Sequence, residues 1–307
     1  MNRGGKGSKY LRTLKNTLKV ARFIRENHFD VLHTDMLFMD FQPLLYLFCK
    51  PWIITKHDPF PHSEEYSFKT DFYRRLSFCF CKRFVVLNKN QHERFCKTYR
   101  IASKNVLINR LGVYDNIKAF VNSKWNTRAH NILFFGRITP YKGIEFLCEA
   151  MKTIHDAIPD ATLTIAGGGD FYFDISEYER LPYIEIRNHF ISMEELAQLV
   201  YECSISVCPY KEATQSGVVM SSFSLCKPVV ATNVGGLGEM IEDGKSGFVV
   251  EPCNPKALAE AVIRIFNNES DLSKMQDYIK REFIEGDKSW EAIAERYLSF
   301  YNEQIGR

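Results

Sequence analysis

Several things are missing from this 307-residue chain, and each absence narrows what it can be. No run is both long and apolar enough to span a bilayer: the best stretch, Met36–Ile54, is broken by Asp40, Gln42, Pro43, Lys50 and Pro51. The start, Met-Asn-Arg-Gly-Gly-Lys, has no apolar segment and no small-residue cleavage site behind it, so no secretory signal is read there. The nine cysteines form no CxxC pair, and His and Cys do not cluster at zinc-ligand spacing. An odd, scattered set inside apolar runs predicts buried, inert thiols and a reducing, cytoplasmic setting. No internal repeat or low-complexity tract is present. With 45% apolar and 25% charged residues, disorder, collagen-like and disulfide-scaffold classes are excluded.

What is there is divided unevenly. Residues 1–128 carry 24 Lys and Arg against 10 Asp and Glu, a net of +14, whereas residues 129–307 carry 16 against 27, a net of −11. The overall +3 hides two unlike halves, as expected of two domains with different partners. Leu11, Leu14, Leu18, Ala21 and Ile24 recur at helical spacing among Lys15, Lys19, Arg22 and Arg25, predicting a basic amphipathic helix over Tyr10–Ile24. Short strand-like runs follow at Asp30–His33, Trp52–Lys56, Arg83–Leu87 and Val106–Ile108, separated by helix-length segments. The polar stretch Tyr114–His130 reads as an interdomain linker. Strand runs resume at Asn131–Phe135, Ala161–Ala166, Tyr183–Arg187, Ser204–Cys208, Pro228–Thr232 and Gly247–Val250. Helices are predicted over Gly143–His155 and over Met193–Cys203, the latter opened by a Ser192/Glu195 capping box. Three more are predicted near 254–267, 270–284 and 288–304. Alternation of this kind predicts an α/β chain of two doubly wound, Rossmann-like domains.

Loops after strands are where such sheets bind ligands. Gly136-Arg137-Ile138-Thr139-Pro140-Tyr141-Lys142-Gly143 brings a guanidinium and an ammonium to a helix start, a combination suited to a diphosphate; a solvated turn with incidental charges is the alternative. Gly167-Gly168-Gly169-Asp170 fails as a dinucleotide fingerprint because Tyr172 stands where the third glycine would be, and a tight turn permitting close backbone approach is the better reading. Glu212-Ala213-Thr214-Gln215-Ser216-Gly217-Val218 leads small residues into an apolar helix, and Asn233-Val234-Gly235-Gly236-Leu237-Gly238-Glu239 follows the next strand. Three phosphate-competent loops on one sheet edge point to one site.

The order GR-x4-KG, a strand ending in GGG, PY-KEATQSGVV and KPVVATNVGGLGEMIEDGKSGFVVEP resembles the C-terminal domain of GT-B glycosyltransferases, and within them the retaining family 4 that builds bacterial polysaccharides and glycolipids. FDVLHTD, ITKHD, VVLNKNQHERF and VLINRLGVYDNIKAF resemble that family's acceptor-domain strands. The resemblance implies a GT-B fold with an acceptor-side domain over 1–125, a nucleotide-sugar domain over 126–287, and a C-terminal helix over 288–307 that packs back toward the first. It implies that Arg137 and Lys142 bind the diphosphate and that the amides of Ser216, Gly217 and Val218 face the donor, with Gln215 and Glu212 beside them. His57 matches the family's interdomain histidine near the donor sugar; a satisfied histidine at a strand end is the other reading. The implied donor is a nucleotide-diphosphate sugar, with no cofactor and no metal, and no Asp-x-Asp motif stands in a suitable place. The implied acceptor is a polysaccharide or lipid-linked hydroxyl.

Two departures stand out. The second of the family's paired glutamates falls on Ser221, which cannot replace a carboxylate's two acceptor oxygens. About 29 residues precede the first strand, where the family has a strand, a glycine-rich loop and further units; Arg3-Gly4-Gly5-Lys6 has glycines but no strand before it. A first domain shortened at its N-terminus is therefore expected, and with it the alternative of a weak or partner-dependent nucleotide-sugar binding protein. The basic helix either lies on anionic lipid or covers the sheet with its charges solvated. Nucleic acid is not expected as a partner, because no recognition module accompanies the charge.

Overall fold

The computed structural model describes residues 6–35, 45, 52–57, 59–60 and 68–306. Most of the apolar stretch from Met36, the Arg3–Gly5 segment, Cys49 and Asp58 lie outside the described residues. The chain divides into two compact units, residues 1–110 with 294–307, and residues 111–293.

The first unit holds a four-stranded parallel sheet in the order β1 (Leu32–Thr34), β2 (Trp52–Lys56), β3 (Arg83–Val86), β4 (Val106–Ile108). Ile53, Ile54, Phe84, Val85 and Val86 are fully buried, as expected of parallel strands covered on both faces. Helices Phe68–Phe80 and Lys89–Tyr99 link β2 to β3 and β3 to β4. Asn88 caps the second by accepting from the Gln91 amide at 2.9 Å, and Arg100 ends it in the left-handed region. Phe78, Phe84, Phe95 and Tyr99 pack edge-to-face and tilted beneath the sheet. The predicted basic helix runs over Lys6–Glu26, burying Ala21 and Ile24.

The second unit is a six-stranded parallel sheet built from β5 (Asn131–Phe135), β6 (Thr162–Ala166), β7 (Ile184–Arg187), β8 (Ile205–Cys208), β9 (Val229–Thr232) and β10 (Gly247–Val250). Their order in the sheet is β10-β9-β8-β5-β6-β7. From β5 the chain winds outward through β6 and β7, then returns to β5's other side at β8. The reversal between β5 and β8 opens a crevice at their C-terminal ends. Helix Ile144–Ala157 buries Ile144, Leu147, Cys148, Met151 and Ile154 at helical spacing and packs along helix Pro255–Phe266. The latter begins with Pro255 and a cap from Asn254 to the Ala257 amide at 3.0 Å. Half of the expected Ser192/Glu195 capping box is present: Ser192 Oγ accepts from the Glu195 amide at 3.1 Å, while the Glu195 carboxylate takes Arg187 and His189 instead. Helix Glu269–Ile279 continues into a π-helical turn at Lys280–Ile284, which places Phe283 against Phe223.

The stretch Tyr114–His130, polar enough to predict a linker, is folded onto the second unit. Its amides at Tyr114 and Arg128 donate to Met220 O at 3.2 Å and Glu202 O at 2.7 Å. Val113 and Ile117, four residues apart, carry the burial, so a short turn over Asp115–Phe120 is anchored despite its polar composition. Trp290 Nε1 donates to Val113 O at 2.8 Å, and its ring lies where a Cβ on Gly112 would fall.

Every described cysteine is a free thiol. Burial pushes the Cys148 thiol up to about 12 and those of Cys81, Cys203 and Cys208 up to about 11, which leaves them protonated and inert.

Candidate functional site

Four loops leave the C-terminal edge of the second sheet, after β5, β6, β8 and β9, and glycine holds them together. Gly143 has φ +63°, and a Cβ there would lie 2.1 Å from Pro209 O. Likewise a Cβ on Gly167 would meet Gly136 O at 1.9 Å, and one on Gly235 would meet Ala213 O at 1.8 Å. The triple glycine is thus a close-approach device, as its sequence predicts: the Ile138 amide donates to Gly168 O at 3.1 Å. The β5 and β8 loops are also tied by the Lys211 amide donating to Tyr141 O at 2.8 Å.

Arg137 and Lys142 share the β5 loop. Arg137 is exposed, whereas Lys142 is half-buried with its Nζ 3.6 Å from the centroid of the Tyr210 ring. Burial, helped by the nearby Arg137 guanidinium, lowers the Lys142 ammonium to about 8. Tyr210 itself is 1% exposed; burial raises its phenol well above the ordinary value, so it stays protonated. Its hydroxyl lies 3.5 Å from Ser216 Oγ, linking the lysine to the start of the next helix.

That helix, Gly217–Ser224, begins where small residues predict it. Ser216 provides no side-chain cap, and no acidic residue stands in the first turn. Its first-turn N–H groups and the positive end of the helix therefore face the crevice. The Ser216 amide donates to Met240 Sδ at 3.3 Å, a weak acceptor that a phosphate oxygen would outcompete. The Tyr114 ring rests over Gly217, 2.9 Å from where a Cβ would be. Gln215 is half-buried, and its Nε2 has no hydrogen-bond partner among the described residues; the same holds for Thr139 Oγ1 in the β5 loop. Val218 is buried. Glu212 is exposed and makes no ion pair among the described residues. Ser221 lies one turn into the helix and is buried. His57 is exposed, just beyond β2 in the first unit.

Reading the sequence by itself missed Tyr210, Met240 and Tyr114, and it noted Tyr172 only as a missing glycine. Tyr172 is a structural hub: its hydroxyl accepts from the Ile144 amide at 2.9 Å and donates to Glu145, which also takes Lys211 Nζ at 2.8 Å. Among the described residues no cluster of His, Cys, Asp and Glu could hold a metal ion. No described helix is long and apolar enough to cross a membrane.

Two parallel α/β sheets, with an anion-competent helix start at the switch point of the second, define the GT-B fold. The chain is related to the family 4 glycosyltransferases: the family described as "Glycosyltransferase Family 4" matches residues 2–113, and "Glycosyl transferases group 1" matches residues 129–268. A glycosyltransferase of Rickettsia africae superposes with a TM-score of 0.69 at 20% identity, covering 99% of this chain and 83% of that one. The HepE protein of Anabaena, solved in complex with UDP, gives 0.66 at 16% identity, covering 94% and 80%. A glycosyltransferase of Methanocaldococcus jannaschii is 33% identical over 174 residues, 56% of this chain and 47% of its own length. The chain spans about half the length of the curated relatives it matches.

Proposed function

We propose that this protein is a glycosyltransferase that moves a sugar from a nucleoside-diphosphate donor to an acceptor hydroxyl with retention at the anomeric carbon. The observation that carries it is Lys142 seated on the Tyr210 ring, whose hydroxyl reaches Ser216 at the uncapped start of helix Gly217–Ser224, with Arg137 close to Lys142 on the same loop. As the bond from the anomeric carbon to the diphosphate breaks, negative charge builds on the departing phosphate oxygen. A fixed ammonium, a guanidinium and oriented amides stabilise that charge without rearranging, which is the term catalysis needs most here. The sugar bonds to the acceptor oxygen, whose proton leaves, and the nucleoside diphosphate departs. UDP bound to the HepE relative makes UDP-sugars the first donors to test.

We assign the donor to the second unit, with Gln215 and the 216–218 amides beside the phosphates, and the acceptor to the first unit, with His57. Helix Lys6–Glu26 suits an acceptor on an anionic, lipid-bearing surface: Arg12, Lys15, Lys19, Arg22 and Arg25 are exposed, as are Leu11, Leu18 and Phe23. The defining experiment is release of UDP from UDP-sugars with and without acceptors. Wild-type turnover is expected, and Arg137→Ala combined with Lys142→Ala is expected to abolish it. Donor binding by the wild type without transfer to any acceptor would favour the binding-protein alternative.

A further inference from the structure

Two helices begin beside the switch point, Ile144–Ala157 after the β5 loop and Gly217–Ser224 after the β8 loop. Both aim first-turn amides at the same edge of the sheet, and on general grounds either could receive a diphosphate. Their starts are built differently. Gly143, the residue before Ile144, has no side chain to cap its own helix. The cap arrives from 28 residues away, where the Tyr172 phenol accepts from the Ile144 amide at 2.9 Å. That phenol donates in turn to Glu145, a carboxylate already seated in the first turn. The other oxygen of Glu145 holds Lys211 Nζ at 2.8 Å, with both side chains half-buried. One loop supplies each partner: Tyr172 follows β6, Glu145 follows the β5 loop, and Lys211 follows β8. The start of helix Gly217–Ser224 has neither a cap nor an acid.

We propose that Tyr172, Glu145 and Lys211 form a positioning chain that closes the start of helix Ile144–Ala157 to phosphate and so registers the donor diphosphate on helix Gly217–Ser224. The proposal rests on the donor reading given above. Glu145 serves as the protein's own anion at the first helix end, where it neutralises both the helix terminus and the Lys211 ammonium. Without its charge, the helix terminus and the Lys211 ammonium lose their anion and together become a second anion site on the same loops. A diphosphate then has two poses, only one of which places its leaving oxygen against Lys142 and the 217–218 amides. None of the three side chains is required to touch the donor in the productive pose; they act by denying it another one.

The distinguishing variant is Glu145→Gln, studied beside Tyr172→Phe. A competing unproductive pose lowers kcat and KM for the donor by the same factor, about fivefold for the loss of one charge–terminus interaction, and leaves kcat/KM unchanged. A purely structural role would instead lower kcat/KM together with thermal stability. Calorimetry with inorganic pyrophosphate provides a measurement independent of turnover: Glu145→Gln is expected to bind it about fivefold more tightly than the wild type, or at an additional site. Tyr172→Phe, which removes one hydroxyl, is expected to move the same quantities in the same direction by less. Unchanged pyrophosphate binding in both variants, or a fall in kcat/KM with KM constant, overturns the positioning chain while the donor reading stands. Failure of the wild type to bind either UDP or pyrophosphate overturns the donor reading and the chain with it.

Discussion

The Lys142 ammonium lies 3.6 Å from the centroid of the buried Tyr210 ring. The ring face gives the charge a favourable neighbour that carries no negative charge of its own, so the lysine remains available to an anionic ligand. The cost shows in its acidity, since burial has already brought the ammonium down to about 8.

A pH dependence follows. A bound diphosphate favours the protonated amine, so at pH above about 8 binding must be accompanied by proton uptake. UDP affinity is expected to be level at neutral pH and to fall up to about tenfold per pH unit once Lys142 has titrated. Calorimetry in two buffers of different ionisation heat reads the proton directly. Constant affinity with no proton uptake up to pH ~9.5 would show that Lys142 does not meet the ligand as an ammonium.

Tyr210 can be tested separately from the lysine. Tyr210→Phe keeps the aromatic face and loses the hydroxyl's contacts to Ser216 Oγ and the Cys208 thiol, so UDP affinity should stay within about twofold. Tyr210→Leu removes the face and is expected to weaken UDP binding at neutral pH by about tenfold, because the buried ammonium loses its partner and deprotonates more readily. Equal affinities for the two variants would assign the stack no part in binding.

The close approach of the loops predicts a graded pair of glycine substitutions. At Gly244, φ is +73° but nothing lies within 4 Å of an added Cβ, so Gly244→Ala incurs backbone strain alone, about 1 kcal/mol. At Gly143 the same strain is joined by a Cβ 2.1 Å from Pro209 O, and Gly143→Ala should cost about 2–4 kcal/mol and weaken UDP binding as the β5 and β8 loops part. Thermal unfolding orders the two; equal midpoints would mean that the Gly143–Pro209 contact yields freely.

If helix Lys6–Glu26 rests on an anionic surface, the protein should sediment with vesicles containing phosphatidylglycerol and not with neutral ones, less so as salt is raised. Replacing Lys15, Lys19 and Arg22 by glutamate should remove the binding without altering UDP affinity, since these side chains are exposed on the first unit. Equal sedimentation of wild type and variant would exclude the helix as the contact.

The strands of the second unit were readable from sequence because β5, β6, β8 and β9 are short, largely buried apolar runs between punctuating glycines and polar loops, with the half-buried edge strands β7 and β10 completing the same rhythm. Arg137, Lys142 and the Gln215–Val218 turn were readable for a related reason: cations and small residues directly after such runs fall on the edge where α/β sheets bind ligands. Tyr210, Tyr172 and Glu145 were not. Their roles depend on pairs far apart in the chain, Glu145 with Lys211 across 66 residues and Ile144 with Tyr172 across 28; the first exists because β8 returns beside β5, the second because β6 lies on β5's other side. Tyr114–His130 misled in the opposite sense, since its polar composition hides one anchor, Ile117, which with Val113 just before the stretch fixes it to the core.

The seams at Gly143, Gly167 and Gly235 run backbone to backbone, with no side chain to trim and no gap to fill. Such a site is intolerant of inserted residues, and a single loop transplanted from a relative would meet three mismatched walls. Changing what the proposed donor site accepts therefore calls for exchanging outward-facing side chains on an unaltered frame, or for moving all four loops together as one cassette.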